Sequence, residues 1–239
     1  MAGLPRGWPP SHIASIVGIG RPSSLPGCSR TKTGQGFCHG PSVRATIPFV
    51  VSVVAAPIDN LDLHAKVPIA VLVERILDVE LVDGGLGGMR LAEVPVQHPW
   101  AKDYDATGHL GPTRWATSFD VTAWGLIAAH DGKRRVGGTV VAFNTVGVDM
   151  FDGRSDLAVL WDIRIRPEAR RSGVGTKLFR AAEVWARDLG CRTMRIETQN
   201  ITVPACRFYQ NLGCTLAAVD RFAYPDLPDE VQVIWLKTL

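Results

Sequence analysis

The stretch that most constrains the fold is the nine-residue run Leu157–Ile165, in which Ala158, Trp161 and aliphatic side chains surround one Asp and one Arg. Its length, its β-branched content and the proline at position 167 predict a strand that is buried on both faces of a sheet. Side chains alternate along a strand, which predicts two faces. One is expected to carry Leu157, Val159, Trp161, Ile163 and Ile165, and the other Leu160, Asp162 and Arg164.

The carboxylate of Asp162 is unusual in such a strand, because burying a charge without a partner is costly. Two interpretations stay open at this point. Asp162 pairs with Arg164 on the same face, or it is a titratable group of an active site.

The segment after the strand predicts a helix that begins at Gly173 and Gly175 and ends before Gly190. Its apolar stripe has helical spacing and consists of Val174, Leu178, Ala182, Trp185 and Leu189. The first amides of a helix have no intrahelical partner and lie at the positive end of its dipole, so they favour an anion. Because glycine has no Cβ, a phosphate is expected to approach the backbone closely here, with Arg170 and Arg171 adding positive charge.

Two common phosphate-binding patterns fit this loop poorly. A Walker loop requires Gly-Lys-Ser/Thr, which the chain lacks, and a dinucleotide fingerprint requires a third glycine where Leu178 stands. Glu197 lies at about the distance expected of the ribose-binding acid, so the dinucleotide alternative stays open.

The next segments alternate between strand and helix patterns. Residues 192–198 predict a strand, and Ala205, Phe208 and Leu212 form the stripe of a short helix that Gly213 ends. Tyr209 lies about 100° around this helix from Phe208, so we expect it to face away from the core.

These segments together resemble the GNAT superfamily of acyl-CoA-dependent N-acetyltransferases. The resemblance rests on Arg170-x-x-Gly173-x-Gly175 after Ile165-x-Pro167, and on Asn200 followed by Phe208-Tyr209-x-x-Leu212-Gly213. Further residues resemble the streptothricin acetyltransferase-like branch: Trp161-Asp162-Ile163, 197–201, 204–209 and 221–225. The resemblance implies an α/β GNAT fold with a mixed central sheet flanked by helices. It covers residues 120–239 well and the preceding part loosely.

The resemblance also implies acetyl-CoA as co-substrate and a set of residues that bind it. These are Ile163, Arg164, Ile165, Arg170, Arg171, Ser172, Gly173, Val174, Gly175, Thr176 and Asn200. The strand amides around Ile163 and Ile165 would bind pantetheine and polarise the thioester carbonyl. Asn200 would orient the cofactor or Tyr209, although an Asn that caps the next helix is an equally open interpretation.

For catalysis, Tyr209 matches the general acid of the family. Asp162, whose pKa burial is expected to raise, and Glu197 are alternative bases, and a third alternative needs no base. The substrate-contacting candidates are Trp161, Tyr104, Trp115 and Tyr224, with solvated loop residues as the opposing interpretation. The predicted function is acetyl transfer to a primary amine of a small molecule, with a streptothricin-type antibiotic as one acceptor. Protein lysine or N-terminal acetylation and a non-catalytic acyl-CoA-binding module are the alternatives.

The remaining regions are predicted more coarsely. Residues 46–54 predict a first strand, 67–77 a helix or an apolar run beside the substrate site, and 83–88 a turn. Residues 124–130 and 135–143 predict a hairpin across Asp131-Gly132. Its Gly137-Gly138 pair predicts that another part of the chain approaches the backbone closely there.

Residues 1–45 are rich in Pro, Gly and Ser and predict a disordered extension before a GNAT domain at 46–239. A translation start placed too far upstream and a transit peptide are open alternatives. The first 58 residues contain no acid and five basic residues, which leaves 21 basic and 23 acidic residues in the rest of the chain. The catalytic part therefore gives no electrostatic reason to expect nucleic acid.

The cysteine and histidine spacings match no metal site, and the odd count of five cysteines argues against a disulfide framework. No run reaches the ~20 apolar residues of a membrane span. We therefore expect a cytoplasmic protein with no metal and no membrane partner, whose oligomeric state, including a homodimer, stays open.

Overall fold

A central sheet of seven strands runs through the computed structural model, which describes residues 50–106 and 111–239. The strands are β1 (Val51–Ala56), β2 (Val71–Leu81), β3 (Met89–Lys102), β4 (Gly125–Asp131), β5 (Arg134–Ala142), β6 (Leu157–Ile165), β7 (Thr193–Gln199), β8 (Thr215–Asp220) and β9 (Gln232–Thr238). The helices are α1 (Leu61–Ala65), α2 (Pro112–Ser118), α3 (Val174–Asp188) and α4 (Val203–Asn211), with short 3-10 turns at Ile58–Asn60, Val82–Gly85, Asp149–Phe151 and Pro167–Ala169. The predicted extension 1–45 lies outside the described residues, as does the beginning of the strand predicted at 46–54.

The sheet is mixed, as the fold class predicts. Its strand order is β1-β4-β5-β6-β7-β9-β8, in which β6 and β7 are parallel and the other neighbours are antiparallel. The central strand β6 has the predicted bounds and is buried along its whole length. The predicted hairpin is β4–β5, and the predicted helices and strand of the second half are α3, α4 and β7.

A β-bulge in β6 changes which side chains share a face. Val140 of β5 pairs with Asp162 and Val141 pairs with Leu160, so Trp161 is an extra residue on β6. Leu160 and Ile163 consequently lie in the same apolar cluster, whereas Trp161 joins the cluster on the opposite face. The strict alternation predicted for Leu157–Ile165 is therefore wrong beyond Trp161, because the bulge reverses the order of the faces.

Each face of the sheet is covered by its own helices. Helices α3 and α4 cover one face, where Leu178, Phe179 and Ala205 pack against β6 and β7. Helices α1 and α2 contact each other, and Leu61 and Trp115 from them pack on the other face. None of the helices in the described parts of the chain is long and apolar enough to cross a membrane.

Gly138 provides the close approach that its sequence context predicts. A Cβ atom at this position would lie 2.7 Å from Nδ1 of His64 and 3.1 Å from the carbonyl oxygen of Ile127. The missing side chain therefore leaves room for the imidazole of His64, which is fully buried against β5.

The region 67–77 is not a helix. Its second part is β2, which pairs with β3 in an antiparallel ribbon separate from the central sheet, and the predicted turn at 83–88 joins the two strands. Val71, Val73, Ile76 and Val79 are β-branched and suit a strand better than a helix, which is why the apolar run takes this form. The ribbon is attached to the sheet by hydrogen bonds between Leu77 and Asn200.

Candidate active site

The two parallel strands at the centre of the sheet separate before they end. Their pairing runs from Leu157 opposite Thr193 to Leu160 opposite Ile196, although β6 continues to Ile165 and β7 to Gln199. Backbone groups point alternately to the two neighbours of a strand. The amide of Arg166 donates to the carbonyl of Val136 on the β5 side, so the amides of Ile163 and Ile165 point toward β7.

Helix α3 begins next to this separation, without a side chain that caps it. Gly173 precedes the helix with φ +85°, and a Cβ on it would meet no atom within 4 Å. The amides of Val174, Gly175 and Thr176 form the first turn, where the partial positive charge of the helix is concentrated. Arg171, Ser172 and Thr176 are exposed beside this turn.

Two residues of this loop make contacts inside the protein. The guanidinium of Arg170 donates to the carbonyl oxygens of Ile165 (3.0 Å) and Ala70 (3.1 Å), so it connects the loop to β6 and to the residue before β2. A Cβ on Gly175 would lie 2.9 Å from Cδ1 of Ile165 and 3.3 Å from Cζ of Phe208. Its small size is required by internal packing.

Tyr209 lies in the core, contrary to the expectation that it faces away from it. Its side chain is fully buried within the apolar cluster that contains Ile163 and Ile165. Its ring centroid lies 5.2 Å from that of Phe208 and 5.9 Å from that of Phe179. The bulge in β6 turns Ile163 and Ile165 toward this cluster, so α4 packs with both aromatic side chains inward.

Asp162 is held by two partners, one predicted and one missed. Arg164 donates to both of its carboxylate oxygens, at 2.9 and 2.8 Å, and Nε2 of His64 lies 2.7 Å from Oδ1. Burial alone would raise the pKa of Asp162, but the charge of Arg164 and the contacts with His64 outweigh it, so that the pKa is lowered. The expectation that burial raises this pKa is therefore wrong.

Arg164 also binds elsewhere in the same network. Its side chain is 2% exposed and donates to Asp105 (2.8 Å) and to the carbonyl oxygen of Val67 (3.2 Å). Burial lowers the pKa of His64, which favours the neutral imidazole, and Nε2 donates to the carboxylate because a carboxylate oxygen can only accept. The glycine at position 138 was the sequence signal for this histidine, since it leaves the space in which the ring lies.

The electrostatic environment of Glu197 is opposite to that of Asp162, because Glu197 has no cationic partner, among the residues that the structure describes, that lowers its pKa. It is fully buried on β7, and burial raises the pKa of Glu197 to about 8, against hydrogen bonds from Tyr224 and Gln232 that lower it. The Tyr224 hydroxyl donates to Oε1 of Glu197 at 2.7 Å. Within residues 50–106 and 111–239, no donor reaches Oε2 of Glu197.

Hydrogen bonds connect Glu197 with two of the predicted substrate residues. Nε2 of Gln199 donates to the Tyr224 hydroxyl at 3.0 Å, and the Tyr104 hydroxyl donates to Oε1 of Gln199 at 2.8 Å. We call Tyr104, Glu197, Gln199 and Tyr224 the tyrosine–glutamate cluster. Tyr104 and Tyr224 are buried and bonded, so the interpretation of them as solvated loop residues is wrong.

Trp115 and Trp161, the other two predicted substrate residues, do not belong to the tyrosine–glutamate cluster. They pack with Trp124 and Phe119 in an aromatic group on the α1–α2 face, where the Trp124 and Trp161 ring centroids are 4.8 Å apart. Both are at least 90% buried and belong to the core of that face.

Asn200 joins three segments of the chain. Its side chain donates to the carbonyl oxygen of Leu77 (3.2 Å) and accepts from the amide of Val231 (2.9 Å). It does not cap α4, whose N-cap residue is Thr202, so the capping interpretation is wrong.

A family model for the acetyltransferase (GNAT) family matches residues 95–214, which is half of the chain. The chain belongs to this family. The matched region contains the separated strands, the uncapped helix and the tyrosine on α4 described above.

Individual GNAT proteins are also similar. Streptothricin acetyltransferase A of Bacillus subtilis (strain 168) is 34% identical over 80 residues, which are 33% of this chain and 46% of that protein. The chain thus spans about half the length of the curated relative it matches. The crystal structure of a nourseothricin acetyltransferase aligns with a TM-score of 0.62 at 21% identity, over 79% of this chain and 98% of the other.

A streptothricin acetyltransferase structure from Bacillus anthracis str. Ames, solved in complex with acetyl coenzyme A, aligns with the same TM-score at 20% identity, over 79% of this chain and 99% of the other. At these identities, the structural likeness concerns the fold.

The packing of Gly175 can be tested by a double-mutant cycle. Gly175→Ala brings a methyl group against Cδ1 of Ile165, while alanine favours the helix by up to about 1 kcal/mol. Ile165→Val removes Cδ1. We expect Gly175→Ala to be about 1 kcal/mol more favourable in the Ile165→Val background than in the wild type, measured by urea unfolding. Equal effects in both backgrounds would contradict this account of the glycine.

The raised pKa of Glu197 predicts how stability depends on pH. The folded protein favours the protonated acid. The contribution of Glu197 to the free energy of unfolding is therefore fully present below about pH 4.5 and is lost as the pH rises to about 8. The free energy of unfolding of the wild type is expected to fall, relative to that of the neutral isostere Glu197→Gln, by up to about 1.4 kcal/mol per pH unit between these pH values. Melting curves at several pH values measure it, with the half-buried, ion-paired Glu80→Gln as control. Parallel curves for wild type and Glu197→Gln would refute the raised pKa.

Proposed function

We propose that this protein transfers the acetyl group of acetyl-CoA to a primary amine of a small molecule. The observation that carries the proposal is the separation of β6 from β7 directly beside the uncapped start of α3. Family membership supports the reaction type, and the structural relative from Bacillus anthracis str. Ames was solved with acetyl coenzyme A.

The residues present fit this co-substrate. The amides of Ile163 and Ile165 point away from β5 and are suited to hydrogen-bond the amide groups of a pantetheine arm. The first turn of α3 offers backbone amides to a diphosphate, and Arg171 adds an exposed positive charge. Acetyl-CoA supplies the thioester whose carbonyl these β6 amides would polarise.

Glu197 is favoured over Asp162 as the base. An alkylammonium group has a pKa of about 10.4, so a carboxylate of pKa about 8 is a better proton acceptor than one of ordinary or lowered pKa. Asp162 is bound on both oxygens by Arg164 and His64, and it serves to hold the network around them. In the third alternative, a neutral minority of the amine binds and no base is needed; the pH–rate profiles of the two carboxylate variants distinguish it.

Tyr209 is the proposed acid that protonates the departing thiolate. A phenol is in general only slightly weaker as an acid than a thiol, so a proton transfer from a tyrosine to a thiolate is feasible. It belongs to the same cluster as Ile163 and Ile165, whose amides would hold the thioester.

The acceptor is proposed to be a streptothricin-type amine, because a curated relative is a streptothricin acetyltransferase and the phenol of Tyr224 is hydrogen-bonded to Glu197. A thiol-release assay with acetyl-CoA tests it, using streptothricin, simple alkylamines and a lysine peptide as acceptors. Fastest turnover with streptothricin supports the proposal. Preference for the peptide favours protein acetylation, and binding of acetyl-CoA without any turnover favours a binding module.

The role of Tyr209 predicts a selective loss of turnover. Tyr209→Phe keeps the ring in its aromatic packing but removes the hydroxyl, so kcat is expected to fall by roughly 10²–10⁴-fold with little change in acetyl-CoA binding. Steady-state kinetics and calorimetry measure the two quantities. An unchanged kcat would assign Tyr209 to packing alone.

The two carboxylates predict different pH–rate profiles. The wild-type kcat/KM is expected to rise with pH through a group of apparent pKa about 8, and Glu197→Gln is expected to lose this acidic limb. Asp162→Asn should retain the limb, since its effect is on the positions of His64 and Arg164. Retention of the limb in both variants would exclude both carboxylates as the base.

A further inference from the structure

A second carboxylate lies beside the tyrosine–glutamate cluster. Glu230 belongs to the connection between β8 and β9, which also carries Tyr224. It is 9% exposed, and its Oε1 accepts a hydrogen bond from Nζ of Lys102 at the end of β3. No donor among the described residues reaches Oε2, which is buried.

Lys102 shows that the surroundings of Glu230 and Tyr104 can hold a primary ammonium group. Its ammonium group is ion-paired with Glu230 and lies 5.3 Å from the centroid of the Tyr104 ring. A primary ammonium is thus held between a carboxylate and an aromatic face, which is a usual environment for an alkylammonium ligand. The lysine side chain is 20% exposed, so this place is in contact with solvent.

Glu230 and Glu197 act on the same phenol. The pKa of Tyr104 is raised by burial first, and then by the negative charges of Glu230 and Glu197. Glu197 is connected to Tyr104 through Tyr224 and Gln199. Two buried carboxylates, each with one oxygen that no described donor reaches, therefore border a single cluster of tyrosines.

We propose that Glu230 determines specificity by binding a second ammonium group of the acceptor, and that Lys102 is the internal cation that an acceptor displaces. This inference rests on the proposed function, since it assigns the reacting amine to Glu197 and the second, non-reacting amine to Glu230. The substrate class is then small molecules with at least two primary amines. A simple monoamine lacks the group that Glu230 recognises.

Two variants of one ion pair distinguish this role from a structural one. Glu230→Gln removes the carboxylate that binds the second ammonium, whereas Lys102→Gln removes the competing internal cation. If the ion pair were merely structural, KM for a diamine would change in the same direction in both variants, because either substitution breaks the pair. If Glu230 binds the acceptor, KM changes in opposite directions in the two variants.

The probes are α,ω-diaminoalkanes of three to eight carbons and the matched 1-aminoalkanes, in the thiol-release assay with acetyl-CoA. For the best diamine, we expect Glu230→Gln to raise KM about tenfold or more and Lys102→Gln to lower it severalfold, which correspond to the loss and gain of one ion pair. KM for the monoamines should change less than about twofold. The half-buried, ion-paired Glu80→Gln on β2 is the matched control and should alter neither KM.

Calorimetric titration of the same amines into the protein measures binding independently of turnover. Tighter binding of diamines than of monoamines, weakened in Glu230→Gln, supports the inference even if no acceptor is acetylated, a result that would overturn the proposed function alone. Should Glu230→Gln fail to fold, Glu230→Asp and Lys102→Gln are compared instead. Equal binding of both amine classes, or shifts of the same sign in the two variants, would overturn the inference.

Discussion

The single extra residue in β6 is the constraint on which the site depends. At Trp161 the strand gains one residue relative to β5, directly after Leu160, the last residue of β6 that pairs with β7. The bulge turns Ile163 and Ile165 toward α3 and α4, and it turns Asp162 and Arg164 toward α1. The amides of Ile163 and Ile165, which are proposed to hold the thioester, lie beyond the last pair of residues between β6 and β7.

Two buried carboxylates on adjacent strands illustrate how the environment decides chemistry. Asp162 and Glu197 both lose their hydration, but Asp162 gains a guanidinium and an imidazole while Glu197 gains neutral donors. The pKa of the first is lowered and that of the second is raised, which separates a structural carboxylate from a candidate base. Burial alone would not have distinguished them.

Much of the second half of the chain could be predicted from its sequence. The bounds of β6 follow from an uninterrupted apolar run and a proline, and α3 follows from its stripe and its flanking glycines. The bulge leaves no local signal, so the faces of β6 and the orientation of Tyr209 were predicted wrongly. The run 67–77 is ambiguous between helix and strand, and its pairing with residues 89–102 depends on long-range contacts that periodicity does not reveal. His64 and Glu230 were missed for the same reason, since their partners are 98 and 128 residues away.

Asn200 ties together Leu77, β7 and Val231, which are far apart along the chain. During translation, α3 and the strands β4 to β7 leave the ribosome well before residues 224–238, and domains tend to form from the N-terminal side. The ribbon β2–β3 thus has no Val231 and no Glu230 to engage until the last described strand is made. The residues that are proposed to select the acceptor are therefore brought together last, after those that are proposed to hold the acyl donor.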